Sequence, residues 1–259
     1  MILPAALYAA CGLASAAPTF SAVEIDHAVT ERLAADYGIR SNIVSHVDLT
    51  APFGTRRQWT LVVAKQPDEQ SQVLSGAGDP VGAVSVCFVH GAEPDCSDAR
   101  FLENHQARTT GIAAVERAFY HLLASRVVFA QPGDKAPLVE LQACSLHGGN
   151  GSCLKSTFLF DYDRQHDAFR TVFFGATGTN NNQETRFIES GPLRGQVIVA
   201  TPTLDAPYAY WVQIYKPGVS GPYLPAFKFR SRTRYADGNP LPVIDAEMPE
   251  ILRRSGQGR

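Results

Sequence analysis

The sequence carries one unusual cysteine pattern twice, and this duplication constrains the fold more than any other feature. Residues 87–96 and residues 144–153 both read Cys-x2-His-Gly-x4-Cys, and the two copies start 57 positions apart (87 to 144). Similarity within one chain over such a distance is the signature of repeated supersecondary units. The chain is therefore predicted to contain several similar modules.

A second repeat extends this pattern to a third module. Residues 127–137 and 197–207 align without gaps as Val-x2-Ala-x-Pro-x3-Ala-Pro, and residues 61–67 match them more loosely. Each segment begins with a short β-branched run and reaches proline soon afterwards, which is typical of a strand followed by a turn. Three related units are therefore predicted, and the third has lost its cysteines.

The remaining apolar runs predict further strands in each unit. The predicted strands cover residues 59–66, 82–89, 99–103, 127–131, 138–145, 156–163, 168–174, 196–201, 207–215 and 226–234. Because the connections between them are short and rich in glycine, proline or asparagine, neighbouring strands should pair antiparallel. The predicted fold class is mainly β, with repeated antiparallel four-stranded meanders in an incomplete β-propeller-like arrangement. A β-sandwich is the alternative.

Helical patterns occur only at the flanks of the predicted strands. Ile25, Val29, Leu33 and Tyr37 follow a helical period that stops at Gly38, which predicts a short N-terminal helix. Weaker helical patterns cover residues 108–118 and residues 243–254, and Pro249 interrupts the second of these.

The predicted domain organisation has four successive parts. These are a signal peptide over residues 1–17, a helical segment over 18–39, a single β-repeat domain over 40–254 and a disordered tail over 255–259. Within the β-repeat domain the predicted units cover about 55–110, 111–175 and 184–236.

The N-terminal residues indicate export. The first 23 residues contain no Asp, Glu, Lys or Arg, and an apolar run is followed by the small-residue triplet at 14–16. This combination is typical of a secretory signal peptide, so a periplasmic or secreted location is predicted. Cys11 is the alternative signal, because its surroundings resemble a lipoprotein cleavage box and would give a lipid anchor. No later apolar stretch has the length of a membrane span.

Export favours disulfide bonds between the remaining four cysteines. Pairing within each copy gives Cys87–Cys96 and Cys144–Cys153, and each bridge would close a short loop. Zinc is the alternative, because Cys-x2-His-x5-Cys offers three zinc ligands per copy, although a fourth ligand is missing.

No catalytic or cofactor signature occurs in the sequence. Gly-x-Ser-x-Gly, His-Glu-x-x-His, the Walker loop and the dinucleotide glycine motif are all absent. A formal net charge of −2 gives no general attraction to nucleic acid. A protein without enzymatic activity, cofactor or nucleic-acid partner is therefore predicted. A hydrolase that uses His90 or His147 with a loop aspartate remains the alternative.

Three aspartates surround one predicted turn. Asp161, Asp163 and Asp167 could supply the oxygen ligands that calcium takes from loops. Aspartate is also favoured in turns because its carboxylate accepts backbone N–H groups. A solvated turn without a metal ion is therefore predicted, and a calcium site is the alternative.

Four cations alternate along the last predicted strand. Lys228, Arg230, Arg232 and Arg234 would lie on one face, since strand side chains alternate with period two. An acidic cleft or a polyanion would be attracted to this stripe. The alternative is an edge strand on which positive charge prevents aggregation.

Residues 207–223 form the most aromatic stretch of the chain. The aromatic residues between 208 and 211 lie in a predicted strand and are expected to fill the core. Ser220, Gly221 and Tyr223 belong to a turn, so Tyr223 is expected to be exposed and available for binding.

The turn-rich segments of residues 40–254 resemble those of a family of exported proteobacterial proteins. The resemblance rests on the export signal, the paired cysteine loops and three further segments, which are residues 175–183, 190–195 and 237–249. Similar periplasmic proteins have propeller-like folds and act as immunity proteins against peptidoglycan hydrolases. Periplasmic lysozyme inhibitors insert a Ser-Gly-x-x-Tyr loop into the enzyme cleft, and residues 220–223 resemble a version with one spacer residue.

The resemblance implies an inhibitor or immunity protein for a lysozyme-like peptidoglycan hydrolase. In this interpretation residues 220–223 enter the cleft of the partner, while Lys228, Arg230 and Arg232 pair with its carboxylates. A secreted hydrolase and a structural envelope protein are the alternatives.

Overall fold

Twelve strands in the described part of the chain form three four-stranded sheets, each with its strands in chain order. The structure is a computed structural model that describes residues 19–38, 40–72, 74, 79–91, 93–98, 119–145, 154–178, 183–219, 221–234 and 241–256. All neighbouring strands pair antiparallel. The prediction of repeated antiparallel four-stranded meanders is therefore confirmed.

The strand bounds define the three sheets. The first sheet contains β1 (Asn42–Asp48), β2 (Trp59–Lys65), β3 (Val84–His90) and β4 (Glu93–Asp98). The second sheet contains β5 (Phe119–Gln131), β6 (Lys135–Ser145), β7 (Leu154–Asp163) and β8 (Ala168–Gly178). The third sheet contains β9 (Glu184–Phe187), β10 (Val197–Pro202), β11 (Tyr210–Pro217) and β12 (Tyr223–Arg230).

The sequence repeat and the sheet boundaries are offset by one strand. The repeated segments fall in β2, β5 and β10, so β2–β3, β5–β6 and β10–β11 are the equivalent hairpins. The first and third sheets add a strand before this hairpin, whereas the second sheet starts with it. The first sheet accordingly begins at Asn42 rather than near residue 55, and residues 93–98 form its last strand. The strand predicted over 99–103 lies outside the described residues.

The second sheet is the middle layer of a stack of three. In β7, Phe158 and Phe160 pack into a core shared with the first sheet. Leu159 points to the opposite face and packs into a core shared with the third sheet. These three adjacent side chains are at most 2% exposed. The sheets therefore lie face to face, and alternate residues of β7 contact different neighbours.

Helices cover the outer faces of this stack. Helix α1 (Ala22–Tyr37) buries Ile25, Val29 and Leu33 against β2 and β3, which confirms the predicted helical period. It begins with a capping box between Ser21 and Glu24. A second helix, α2 (Thr50–Phe53), is a single turn.

The last helix, α3 (Val243–Arg254), packs its apolar face on the third sheet. It continues through Pro249, which the sequence analysis expected to interrupt it. Because helices cover both outer sheets, the three sheets do not close into a barrel, and the incomplete propeller-like arrangement is confirmed. None of the described helices is both long and apolar enough to span a lipid bilayer. The helix predicted over 108–118 and the signal peptide predicted over 1–17 lie outside the described residues.

A disulfide joins Cys87 and Cys96, which lie directly opposite each other in β3 and β4. The predicted bridge is confirmed, and the zinc alternative for this copy is wrong because both sulfurs are consumed. Cys144 is also disulfide-bonded, while its predicted partner Cys153 lies outside the described residues.

The turn before β10 fixes the third sheet against the second. Gly195 has φ +78°, and a Cβ placed there would lie 2.4 Å from the carbonyl oxygen of Ala130 in β5. The carbonyl oxygen of Gly195 accepts a hydrogen bond of 2.8 Å from the hydroxyl of Tyr223. Since the obstructing atom belongs to the backbone, a side chain at this position would force the two sheets apart.

Gly195→Ala is therefore expected to lower the free energy of unfolding by about 2–3 kcal/mol, because the strain of a positive φ adds to a backbone clash. Gly191 is a matched control, since it has φ +72° and open space around its missing Cβ. Gly191→Ala should cost only about 1 kcal/mol. Urea unfolding followed by circular dichroism measures the free energy of unfolding of both variants. If both lose the same amount of stability, the close approach of Gly195 to β5 is unimportant.

Candidate functional site

The structure buries the tyrosine that the sequence predicted to be exposed. Tyr223 is 8% exposed, and its ring packs against Phe173 of the second sheet. The expectation is wrong because Tyr223 is the first residue of β12 and faces the second sheet. Burial raises the pKa of its phenol above the usual value, and the nearby charge of Asp161 adds to this. A plug formed by this side chain is therefore not available.

The turn that contains Gly221 instead forms one wall of a cleft. This cleft lies between the β11–β12 turn and the edge of the second sheet, and its volume is about 420 Å³. Its wall on the second sheet includes Leu138, Asp161 and Arg164, while Tyr223 closes the end between the sheets. Ser220, the first residue of the predicted binding loop, lies outside the described residues.

Asp161 is the acidic group of this cleft. Its carboxylate accepts a hydrogen bond of 2.8 Å from the N–H of Tyr162. Loss of hydration raises the pKa of Asp161 above its usual value, although this N–H and the guanidinium of Arg170 act in the opposite direction. Asp161 and Arg170 are paired across β7 and β8.

The other two aspartates of the alternative calcium site have partners within the protein. Asp163 caps the β7–β8 turn, since it accepts the N–H groups of Gln165 and His166 and also contacts the His166 ring. Asp167 accepts hydrogen bonds from the indole of Trp59 at 3.0 Å and from the hydroxyl of Tyr162. The three carboxylates do not form a group that could hold a metal ion, so the calcium alternative is not supported.

Asp167 ties the β7–β8 turn to the first sheet. The hydroxyl of Tyr162, the indole of Trp59 and the guanidinium of Arg57 lower the pKa of Asp167. Burial and the same hydrogen bond raise the pKa of Tyr162 to about 12. The ring of His90 lies 4.8 Å from that of Trp59, and His147 lies outside the described residues.

No group of three or more His, Cys, Asp or Glu residues in the described ranges could hold a metal ion.

Lys228 and Arg230 lie on an edge strand, as expected if positive charge protects an edge from aggregation. β12 is the last strand of the third sheet and ends at Arg230, so the predicted strand through residue 234 is too long. Arg232 lies beyond the strand end, where its backbone N–H donates to the carboxylate of Glu247. Only Lys228 and Arg230 therefore share a strand face.

The exposed side chain of Trp211 lies beside these cations. Tyr208 is 52% exposed and Trp211 is 38% exposed, whereas Tyr210 between them is 1% exposed. The ammonium of Lys228 lies 4.9 Å from the centre of the Trp211 ring, and Arg230 is the cross-strand partner of Trp211. The prediction of core aromatics holds for Tyr210 but is wrong for Tyr208 and Trp211.

We call Trp211, Lys228 and Arg230 the aromatic–cationic face. The guanidinium of Arg230 also donates to the carbonyl oxygen of Pro207 at 2.6 Å, which fixes the β10–β11 loop beside the face. Within the described ranges neither cation of the face forms an ion pair with a carboxylate. Their charge is therefore available to a partner.

The alternation of buried and exposed side chains along β11 is the sequence signal that could have predicted the exposure of Trp211. Tyr210, Val212 and Ile214 are buried on the side of α3, so Trp211 must lie on the opposite side of the sheet. On that opposite side, the core shared with the second sheet includes Tyr215 and Tyr223 but not Trp211.

No protein-family model, curated protein or solved structure matches this chain.

Proposed function

We propose that this protein is an exported, non-enzymatic binding protein that inhibits a lysozyme-like peptidoglycan hydrolase through its aromatic–cationic face. The observation that carries the proposal is the exposed Trp211 beside Lys228 and Arg230 on one sheet face. Tryptophan, tyrosine and arginine are the residues most enriched in binding hot spots.

Charge complementarity selects the partner. Glycoside hydrolases of the lysozyme type carry a pair of carboxylates that flank the scissile bond. The cations of the face have no carboxylate partner in the described ranges, so they would gain by pairing with that acidic cleft. The side chain of Tyr223 is not part of this contact, because it is buried.

Rigidity also supports a role in recognition. The face lies on β11 and β12, whose opposite side is packed on α3 by Val212, Ile214 and Phe229. A pre-ordered surface loses little conformational entropy on binding. The disulfide between Cys87 and Cys96 supports the exported location, because such bonds persist in oxidising compartments.

The double variant Lys228→Glu/Arg230→Glu is expected to weaken inhibition at least about 100-fold, because charge attraction becomes repulsion at the centre of the contact. The matched control is Lys135→Glu/Lys216→Glu, which makes the same charge change at exposed positions outside the face. Trp211→Ala provides a variant without charge reversal. Inhibition constants come from the clearing of peptidoglycan suspensions by a panel of lysozyme-like hydrolases, including one encoded beside this gene.

The control should inhibit like the unmodified protein. Equal loss in the control would show a general charge effect rather than a defined face. If the unmodified protein inhibits no hydrolase of the panel, the proposal fails.

A further inference from the structure

The cleft at Asp161 is a second candidate site, separate from the aromatic–cationic face. Its volume of about 420 Å³ falls in the range of small-ligand sites. It opens between two sheets, at the place where the β11–β12 turn meets the second sheet.

Polar groups of different kinds line this cleft. Asp161 supplies a carboxylate, Gln131 an amide and Arg164 a guanidinium. Among the described residues, the carboxylate of Asp161 accepts one hydrogen bond, from the N–H of Tyr162. Since an ionised carboxylate can accept about four, most of its acceptor capacity remains for a ligand that donates hydrogen bonds.

The charges around the cleft balance. Asp161 and Asp163 on β7 are opposed by Arg164 in the following turn and by Arg170 on β8. Arg170 lies 3.5 Å from Asp163 and also packs against the β11–β12 turn at Gly221. Arg164 donates to the carbonyl oxygen of Phe53 at 2.8 Å. A strongly charged ligand would therefore meet a group of like charge close to any group that attracts it.

Apolar side chains complete the lining. Pro137 and Leu138 lie on the second-sheet side, and Pro217 and Val219 lie on the turn. A sugar ring offers apolar C–H faces together with hydroxyl groups that both donate and accept. We infer that this cleft binds a short, uncharged saccharide, whose hydroxyl groups donate to Asp161 and accept from Arg164.

Titration of the ¹⁵N-labelled full chain tests this inference. Cellobiose and N,N′-diacetylchitobiose are the uncharged probes, and spermidine and citrate are the charged ones. An uncharged disaccharide is expected to cause saturable shifts in the amide resonances of residues 130–138, 161–164, 217–219 and 221–223. Asp161→Asn should weaken this binding at least fivefold while leaving the remaining resonances in place.

Asp205→Asn is the matched control, because Asp205 is exposed on the β10–β11 loop, outside the cleft. It should bind the disaccharide as the unmodified chain does. Leu138→Phe, which narrows the cleft without changing charge, should also weaken binding.

Two results would overturn the inference. One is no saturable shift with either disaccharide, and the other is binding of spermidine or citrate at the cleft in preference to both. The inference is independent of hydrolase inhibition, since Lys228→Glu/Arg230→Glu should retain saccharide binding.

Discussion

Leu159→Ala and Phe160→Ala are both expected to destabilise the protein strongly, although the two side chains lie on opposite faces of β7. Leu159→Ala should lower the free energy of unfolding by about 2–5 kcal/mol, and Phe160→Ala by about 3–5 kcal/mol. Both side chains are at most 2% exposed, the first against the third sheet and the second against the first sheet.

A two-layer β-sandwich would give a different result, because one face of each sheet would contact solvent. Leu123→Ala is the control, since Leu123 is 49% exposed in β5 and its loss should cost no more than about 0.5 kcal/mol. Urea unfolding followed by tryptophan fluorescence and circular dichroism measures all three variants. If Leu159→Ala costs no more than Leu123→Ala, the second sheet is not the middle layer.

Arg126→Ala is expected to lower the free energy of unfolding by about 2–4 kcal/mol, because it leaves a buried carboxylate without its counter-charge. Glu140 is 2% exposed and lies 2.7 Å from the guanidinium of Arg126. The same guanidinium also pairs with Glu189, in the connection between β9 and β10. Arg126 thus neutralises a charge in the second sheet and links it to the third.

The double variant Arg126→Met/Glu140→Leu separates this explanation from a simple loss of packing. Replacing both charges removes the unpaired carboxylate, so the double variant should be more stable than Arg126→Ala alone. Arg32→Ala is a surface control, because Arg32 forms an exposed pair with Asp36 within α1 and should cost less than about 1 kcal/mol. If Arg126→Ala lowers the free energy of unfolding no more than Arg32→Ala does, the buried charge of Glu140 does not depend on Arg126. Thermal and urea unfolding provide these values.

The sequence predicted the local elements better than it predicted how they are grouped. Periodicity and proline punctuation placed β2, β6, β7 and β10 within a few residues, and the helical period of α1 was correct. The sequence did not predict which strand begins each sheet. A repeated hairpin can be joined by a further strand before it or after it, and its own sequence is the same in both cases. The β1 strand belongs to the first sheet only because it pairs with β2.

The predicted exposures of Trp211 and Tyr223 are both wrong: Trp211 was expected to be buried and is exposed, and Tyr223 was expected to be exposed and is buried. The reason lies outside the local sequence. Trp211 and Tyr223 are both on the side of the third sheet that faces the second sheet. The second sheet covers Tyr223 but leaves Trp211 exposed. Which end of a sheet face is covered depends on the position of another layer, and a strand period carries no information about that position.

The aspartates of the β7–β8 turn illustrate the same limit for metal sites. Spacing alone suggested shared ligands among Asp161, Asp163 and Asp167. Residues distant in sequence determine what each carboxylate binds. The indole N–H of Trp59 in the first sheet donates to Asp167, whereas Asp161 lines the cleft. Tertiary contacts thus decided the use of each carboxylate.

Hydrogen exchange of the complex with an inhibited hydrolase tests the proposed function most directly. The proposal predicts slower amide exchange on binding in residues 204–213 and 226–230, which surround the aromatic–cationic face. Protection confined to other segments, such as α1 or the turn at Gly221, would contradict it.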